Sequence, residues 1–355
     1  VQIIMKRLIT FIEAIREATD QSMSRDKNVI LFGLGADDPK SIFGSTDGLK
    51  KKYSEKRVFD VPTSENAMTG VGIGAAINGK KPIMVHQRLD FFLLAMDQVV
   101  NAAAKWYFMF GNQKSVPITI RLIMGRGWGQ GPTHSQNLQA WFAHIPGLKV
   151  VMPATASDAK GLLISSINDP NPVIFMEHRW LHNLKGEVSK EYKPIPIGKA
   201  NIIKKGSDIT IVAMSYMVIE AIHAAEFLQK NGVNCEIIDL RTVAPIDYET
   251  IYKSISKTKN VLILDSGTLD GSISGEILSK VVDEMWEDLE LKPERMAMPN
   301  FPESTSFALT KDYHVNSEKI VEKISKMLEI NIDTGNSFKK DHPHDVPGEW
   351  FTGPF

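Results

Sequence analysis

Three segments carry residues whose types and spacing could do chemistry. The first, "VPTSENAMTGVGIGAA" (61–76), holds a lone acid, Glu65, where an irregular segment turns into a helical pattern. It also holds Gly70-x-Gly72-x-x-Ala75, with Asp90 at a plausible distance beyond, which fits a dinucleotide-binding pattern. The second, "GRGWGQGPTHSQNLQAWFAHI" (125–145), packs four glycines into seven residues before Pro132 and His134. Such a loop must bend sharply or approach something closely. The third, "HQRLDFF" (86–92), puts Gln87, Arg88 and Asp90 directly after an apolar run, and "EHRWLHN" (177–183) repeats the arrangement.

The glycines and Glu65 compete for the first segment. A dinucleotide fingerprint follows its strand immediately, so that the first glycine turns the chain into the helix. Here "PTSENAMT" separates the strand-like "RVFDV" from Gly70, so the glycines fall inside the helix and serve packing. Glu65 stands at a strand exit, where α/β proteins build their sites, although a first-turn acid also complements a helix dipole. His134 is expected to lead into a helix capped by Thr133 or Ser135. His144 reads as a packing residue. The "HPH" at 342–344 is a poor ligand set for a metal. The polar groups of the third segment read either as solvated loop or as one shared pocket.

These segments need a scaffold of short apolar strands. Runs at 28–33, 57–61, 81–86, 116–124, 148–154 and 172–178 alternate with helical patterns such as "TFIEAIREATDQSM" and "LLAMDQVVNAAAKWYFMF". Most of these runs are apolar without alternation, as expected of parallel strands covered on both faces. The reading is α/β. From 185 to 199 the chain becomes charged and proline-bearing, which predicts a linker. Strand and helix patterns restart at 200–330, with strands at 208–216, 235–240 and 260–267. A last amphipathic helix is capped by Ser317, with Ile320, Val321, Ile324, Met327 and Leu328 on one face. The tail, 331–355, carries four aromatics and is expected to be an extended arm docking on a partner or neighbouring subunit.

Composition narrows the class. The chain has 355 residues, 43% hydrophobic and 23% charged, with a formal net charge of -1. That balance gives no pull toward nucleic acid or an anionic membrane. No apolar run reaches the roughly 18 residues of a membrane span. The first residues do not read as a signal peptide, so the expected compartment is the cytoplasm. The single cysteine, Cys235, reads as a core residue of a buried strand.

Taken in order, "EAIREATDQSMSRDKNVILFG", "RVFDVPTSE", "AMDQVVNAAAK", "GPTHSQNLQAWFAHIPGLKVVMPATASDAKGLL", "DPNPVIFMEHR" and "IIDLRTVAPID" resemble the beta subunit of the thiamine-diphosphate-dependent first component of the 2-oxo-acid dehydrogenases. That group includes the pyruvate, branched-chain and acetoin enzymes, and the likeness runs from about Thr10 to Ile330. It implies a pyrimidine-binding domain over 1–184, a parallel sheet with helices on both faces. A linker at 185–199 and a transketolase C-terminal-type α/β domain over 200–330 would follow.

The resemblance also assigns roles. Glu65, in "PTSE", inherits the acid that hydrogen-bonds the cofactor's aminopyrimidine ring. In an apolar cleft its raised pKa would let it share a proton with ring nitrogen N1′, promoting loss of the C2 proton. Thr63, Gln87 and Phe91 match cofactor-contact positions, and His134 matches the loop histidine near the reacting carbon. A structural potassium ion is implied near Thr119, Ser166, Asp169 and Asn171, largely on backbone oxygens. The diphosphate and Mg2+ motif of the superfamily is not found. Its nearest imitation, "LDG" (269–271) with Asn300, falls in the C-terminal domain, so an alpha subunit is expected to bring that half of the site in an alpha2beta2 assembly.

Departures from the family touch the substrate. Arg88 stands where an aromatic is usual, and "GRGWGQG" adds Arg126 and Trp128. Facing the pocket, Arg88 and Arg126 would favour an added anionic or hydroxylated group; facing outward, they are surface charges. The first function expected is decarboxylation of a 2-oxo acid with transfer of the acyl unit to a lipoyl carrier on an acyltransferase partner. The alternative is a two-subunit transketolase-like or carboligase enzyme acting on a sugar-like ketone.

Overall fold

The computed structural model of the chain describes residues 6–38, 40–126, 129–338, 347 and 350–353. The chain divides into two compact units. The first contains the residues up to Gly125, then Trp141–Ile197 and Gly353–Phe355; the second contains Arg126–Ala140 and Gly198–Thr352.

In the first unit, strand β1 (Lys6–Thr10) runs into α1 (Phe11–Arg25). The "TFIE" at this junction forms a capping box: Thr10 Oγ1 accepts from the Glu13 amide at 3.2 Å, and Glu13 Oε2 accepts from the Thr10 amide at 2.7 Å. Next come β2 (Val29–Gly33), α2 (Leu49–Tyr53), β3 (Val58–Phe59), α3 (Glu65–Ile77), β4 (Lys81–His86), α4 (Leu89–Phe92), α5 (Ala104–Met109) and β5 (Thr119–Met124). The unit continues with α6 (Gln139–Ala143), which opens in the second unit, then β6 (Lys149–Val151), α7 (Ala156–Asn168), β7 (Val173–His178) and β8 (Lys185–Ser189). Six of its strands lie in the order β6-β7-β5-β4-β2-β3, all parallel. Continuous burial along β5 and β7 explains why their sequences show no alternation. Helices α1 and α7 pack together.

Two segments differ from their sequence reading. The linker-like "KGEVS" is β8, paired antiparallel with β1, Leu8 opposite Glu187. Backbone pairing at a two-stranded edge tolerates charged side chains, which composition reads as loop. His134 does not open a helix, because α6 starts at Gln139. The hydroxyls expected to cap it are engaged elsewhere: Thr133 Oγ1 lies 3.0 Å from His134 Nδ1, and Ser135 Oγ donates to the Gly131 carbonyl at 3.0 Å.

The second unit holds β9 (Asn201–Lys204), β10 (Ile209–Ala213), α8 (Met217–Lys230), β11 (Cys235–Asp239), the short β12 (Thr242–Ala244), α9 (Tyr248–Thr258), β13 (Val261–Thr268), α10 (Ile273–Met285), β14 (Glu294–Met298) and α11 (Ser317–Met327). Its sheet runs β14-β13-β10-β11-β9, parallel except for β9. Cys235 is buried in β11, and burial pushes its thiol up to about 12. Asn316, not Ser317, caps α11, since the Ser317 amide donates to Glu220 Oε2 at 2.8 Å.

Two described aromatics of the tail pack back on the second unit. Trp350 Nε1 donates to Glu220 Oε1 on α8 at 3.1 Å, and the Phe338 ring lies 5.1 Å from Phe227. The arm expected to reach a partner thus spends these two aromatics on its own chain. His342, His344 and Trp128 lie outside the described residues. Among the described residues no helix is long and apolar enough to cross a membrane.

Candidate active site

Glu65 is the first residue of α3 and half-buried. Gly70 and Gly72 lie inside the helix, as the spacing predicts. Gly72 is the packed one: a Cβ there would meet Ile118 and Phe32 at 3.0 and 3.1 Å, while Gly74 faces open space.

Side-chain bonds gather three strand exits of the first unit. Asp60 Oδ1, just past β3, accepts from the amides of Gly35 and Val61 at 2.7 and 2.8 Å. That ties the β3 exit, and Glu65 beyond it, to the loop leaving β2. Gln87, at the β4 exit, reaches the same loop, with Nε2 3.5 Å from the Leu34 carbonyl. Gly35 has φ +75°, and a Cβ there would come within 2.6 Å of that amide nitrogen. Only glycine fits under Gln87. Thr63 is exposed, and Phe91 on α4 is 46% exposed.

Arginines occupy the neighbouring exits. Arg88 is half-buried, and burial lowers its pKa against the opposing pull of Asp90. Arg179, directly after β7, is buried; burial first and the charge of Arg88 second bring it down to about 10. Its guanidinium sits 5.1 Å over the Phe43 ring. Phe43 ends a run, Ser41–Ile42–Phe43, in which three successive non-glycine residues hold positive φ (50°, 46° and 58°). Left-handed backbone at bulky residues persists only where surroundings fix it. Here Ile42 is buried and Phe43 also packs on His182 at 5.5 Å. Sequence reasoning singled out "EHRWLHN" but neither Arg179 nor this run.

Beneath this edge the sheet buries a charge pair. Arg121 on β5 binds Glu177 on β7 in a fork, Nε to Oε1 at 2.6 Å and Nη2 to Oε2 at 2.9 Å, both side chains wholly buried. His182 is buried, and burial with the charges of Arg121 and Arg179 drops its pKa to about 3. Burial alone takes His86 to about 3. Gly125, at the β5 exit with φ +84°, lies against the His178 ring.

Arg126 is not a surface charge. It belongs to the second unit and is buried there, its Nη1 donating to Glu303 Oε1 at 2.9 Å and to the Ser304 carbonyl at 2.7 Å. His134 lies on the same segment, half-buried. The residues proposed for potassium have other bonds. Ser166 Oγ donates to the Leu162 carbonyl, and Asp169 takes Lys149 on one oxygen and the Asn171 amide on the other. Thr119 is buried within β5. Asn300 Oδ1 accepts from the Asp270 amide at 2.9 Å, which gives the "LDG…N" pattern a loop-fixing use. Among the described residues no three His, Cys, Asp or Glu side chains converge on a metal position.

Two α/β units, the first with acid, amide and aromatic groups at its carboxyl edge, define a transketolase-type architecture. Residues 7–184 match the transketolase pyrimidine-binding domain and 198–320 the transketolase C-terminal domain. A solved chain described as a split-gene transketolase, an inactive beta4 tetramer, superposes with a TM-score of 0.73 at 21% identity, covering 91% of this chain and 99% of that one. That likeness concerns the fold. Sequence relatives are nearer. The 2-oxoisovalerate dehydrogenase beta subunit of Bacillus subtilis is 38% identical over 326 residues, 91% of this chain and 99% of the relative. The acetoin:2,6-dichlorophenolindophenol oxidoreductase beta subunit of Cupriavidus necator is 40% identical over 308 residues, 84% and 91% of the two chains. The pyruvate dehydrogenase E1 beta subunit of Rickettsia bellii is 37% identical over 332 residues, 94% and 98%. The chain belongs to the family of 2-oxo-acid dehydrogenase E1 beta subunits.

Proposed function

We propose that this chain is the beta half of a thiamine-diphosphate-dependent 2-oxo-acid dehydrogenase, its active site shared with an alpha subunit. The observation that carries the reading is the gathering of Glu65 and Gln87 at one edge through Asp60 and the Gly35 loop. A carboxyl, a primary amide and an exposed phenyl ring suit a flat aromatic ring with a hydrogen-bonding edge, which is what an aminopyrimidine presents.

Bound there, thiamine diphosphate supplies an electron sink for the substrate carbonyl carbon. Glu65 holds a proton at the edge nitrogen of the ring, Gln87 orients that edge, and Phe91 stacks beside it. Arg88 and Arg179 give the edge positive charge, which suits the carboxylate of a 2-oxo acid. His134 is the candidate for orienting the carbonyl or moving a proton at the reacting carbon. Diphosphate and Mg2+ are assigned to the alpha partner, and the acyl unit passes to a lipoyl carrier.

Glu65 is only half-buried in this chain, whereas its role calls for a water-poor cleft, so a second surface must cover it. Apolar side chains nearby suit such a cover: Val71 on α3 is 58% exposed, and Leu94, in the helical stretch that touches α3, is 69% exposed.

The test is calorimetric binding of thiamine diphosphate with Mg2+ to this chain alone and co-purified with its alpha partner, beside Glu65→Ala. Binding only in the mixture, with loss of turnover in the variant, supports the shared site. Tight binding by the chain alone refutes it. A panel of 2-oxo acids and sugar-like ketones then separates a dehydrogenase from a carboligase.

A further inference from the structure

The chain leaves the first unit after Gly125 and returns to it at Trp141, and the stretch between, Arg126–Ala140, is part of the second unit. From Gly129 to Leu138 it has no helix or strand, yet it carries His134. Such a segment, left alone, samples many conformations. Here three attachments hold it. At its start the buried Arg126 binds Glu303 and the Ser304 carbonyl, and Glu303 also lies 3.0 Å from His314 Nε2. In the middle Gly131 is so near Thr305 that a Cβ would come within 2.1 Å of Oγ1. At its end Gln139 Nε2 donates to Asp265 Oδ1 at 2.6 Å and to Ser266 Oγ at 3.2 Å. Asp265 is itself fixed by the amides of Gly267 and Ser274, each at 2.9 Å. Between the attachments, His134 donates its amide to the Gly131 carbonyl at 3.1 Å.

We propose that the Arg126–Glu303 pair and the Gln139–Asp265 bond are positioning groups, which hold the segment carrying His134 in one place on the second unit. The proposal rests on the reading of His134 as the group at the reacting carbon. A buried ion pair is a poor stabilising device, because desolvating both charges offsets their attraction. What it supplies is direction: a planar guanidinium accepts a carboxylate in few geometries. Its bonds span 177 residues and those of Gln139 span 126, so they pin both ends of one segment to distant parts of the same unit. A catalytic group displaced by about 1 Å loses on the order of a hundredfold in rate, so tethers of this kind matter at the site they serve.

The experiment uses the holoenzyme, this chain co-purified with its alpha partner, following 2-oxo-acid-dependent reduction of an artificial electron acceptor. Four forms are compared: wild type, His134→Ala, the pair Arg126→Met with Glu303→Leu, and all three changes together. Replacing both charges by apolar groups leaves neither charge buried alone, at the loss of one bond each to the Ser304 carbonyl and His314. Gln139→Met serves in the same scheme if the double variant does not fold. The expected result is a kcat lower by about 10- to 100-fold in the tether variant, with KM and thiamine diphosphate affinity near wild type. No further loss is expected when the tether changes are added to His134→Ala, because both act on one group. A tether variant with unchanged kcat, or one that loses as much again without His134, overturns the proposal while leaving the role of His134 standing. A fully active His134→Ala takes down both.

Discussion

The imidazole of His178 lies across Gly125 so closely that a Cβ at that glycine would come within 2.2 Å of Nε2. His178 ends β7 and Gly125 follows the end of the adjacent β5, where it holds φ +84°. The ring is fixed in turn, since His178 Nδ1 accepts from the Trp180 amide at 3.3 Å and the indole meets its edge at 5.0 Å. Gly125→Ala is therefore expected to cost about 2–4 kcal/mol, from left-handed strain and overlap together. The readout is the thermal midpoint, which should fall by several degrees and partly recover when His178→Ala is added. An unchanged midpoint would mean that the strand exit moves aside freely.

The Arg121–Glu177 fork predicts a sign reversal. Arg121→Met alone leaves a buried carboxylate unpaired and should cost about 3–5 kcal/mol, whereas Arg121→Met with Glu177→Leu should recover most of that loss. Thermal unfolding of the two variants decides it. A double variant as unstable as the single would show that the pair contributes more than mutual neutralisation.

Stability should fall in mild acid. His86 and His182 have pKa values near 3 in the folded chain against 6.5 ordinarily, both through burial. Above pH 6.5 neither state binds these protons and the two residues add no pH dependence. Below it the unfolded chain takes them up and the folded one does not, so stability is lost as pH falls from 6.5 toward 3. Each histidine contributes a slope of about 1.4 kcal/mol per pH unit in that window. Urea unfolding at pH 7, 6 and 5 measures the slope, and His86→Gln should lower it by one proton. An unaltered slope would disprove the role of His86.

Glu65 and Arg88 should separate in kinetics. Glu65→Gln removes the carboxylate proposed to hold the ring proton and should lower kcat by at least about a hundredfold. If Arg88 meets the substrate carboxylate as proposed, Arg88→Leu removes charge felt in ground and transition states alike, so KM should rise about tenfold with kcat little changed. Steady-state kinetics of the holoenzyme checks both, and a kcat-only effect at Arg88 would move it out of substrate binding.

How far the sequence could be read follows from how local each feature is. The strand at 81–86 and the "TFIE" helix start are legible because their signals lie within a few residues. Glu65 reads at once as a helix-start acid at a strand exit, and its cofactor role came only through resemblance. The charge in "ITIRLIM" gives no hint that its partner is Glu177, which sits opposite only after two strands pair. Arg126 could be read as pocket or surface because its partner lies 177 residues on. The left-handed run at Ser41–Phe43 has no signal of its own, since packing against Arg179 and His182 selects it.

The boundary of the second unit is not a single point along the chain. A fragment beginning at Gly198, where the match to the C-terminal domain begins, omits the fifteen residues, 126–140, that the unit borrows from upstream. It would leave the Glu303 carboxylate without its guanidinium and Asp265 without the Gln139 side-chain amide. Swapping this unit between related enzymes likewise requires transplanting 126–140 with it, or the chimera inherits a loop fitted to the wrong seat.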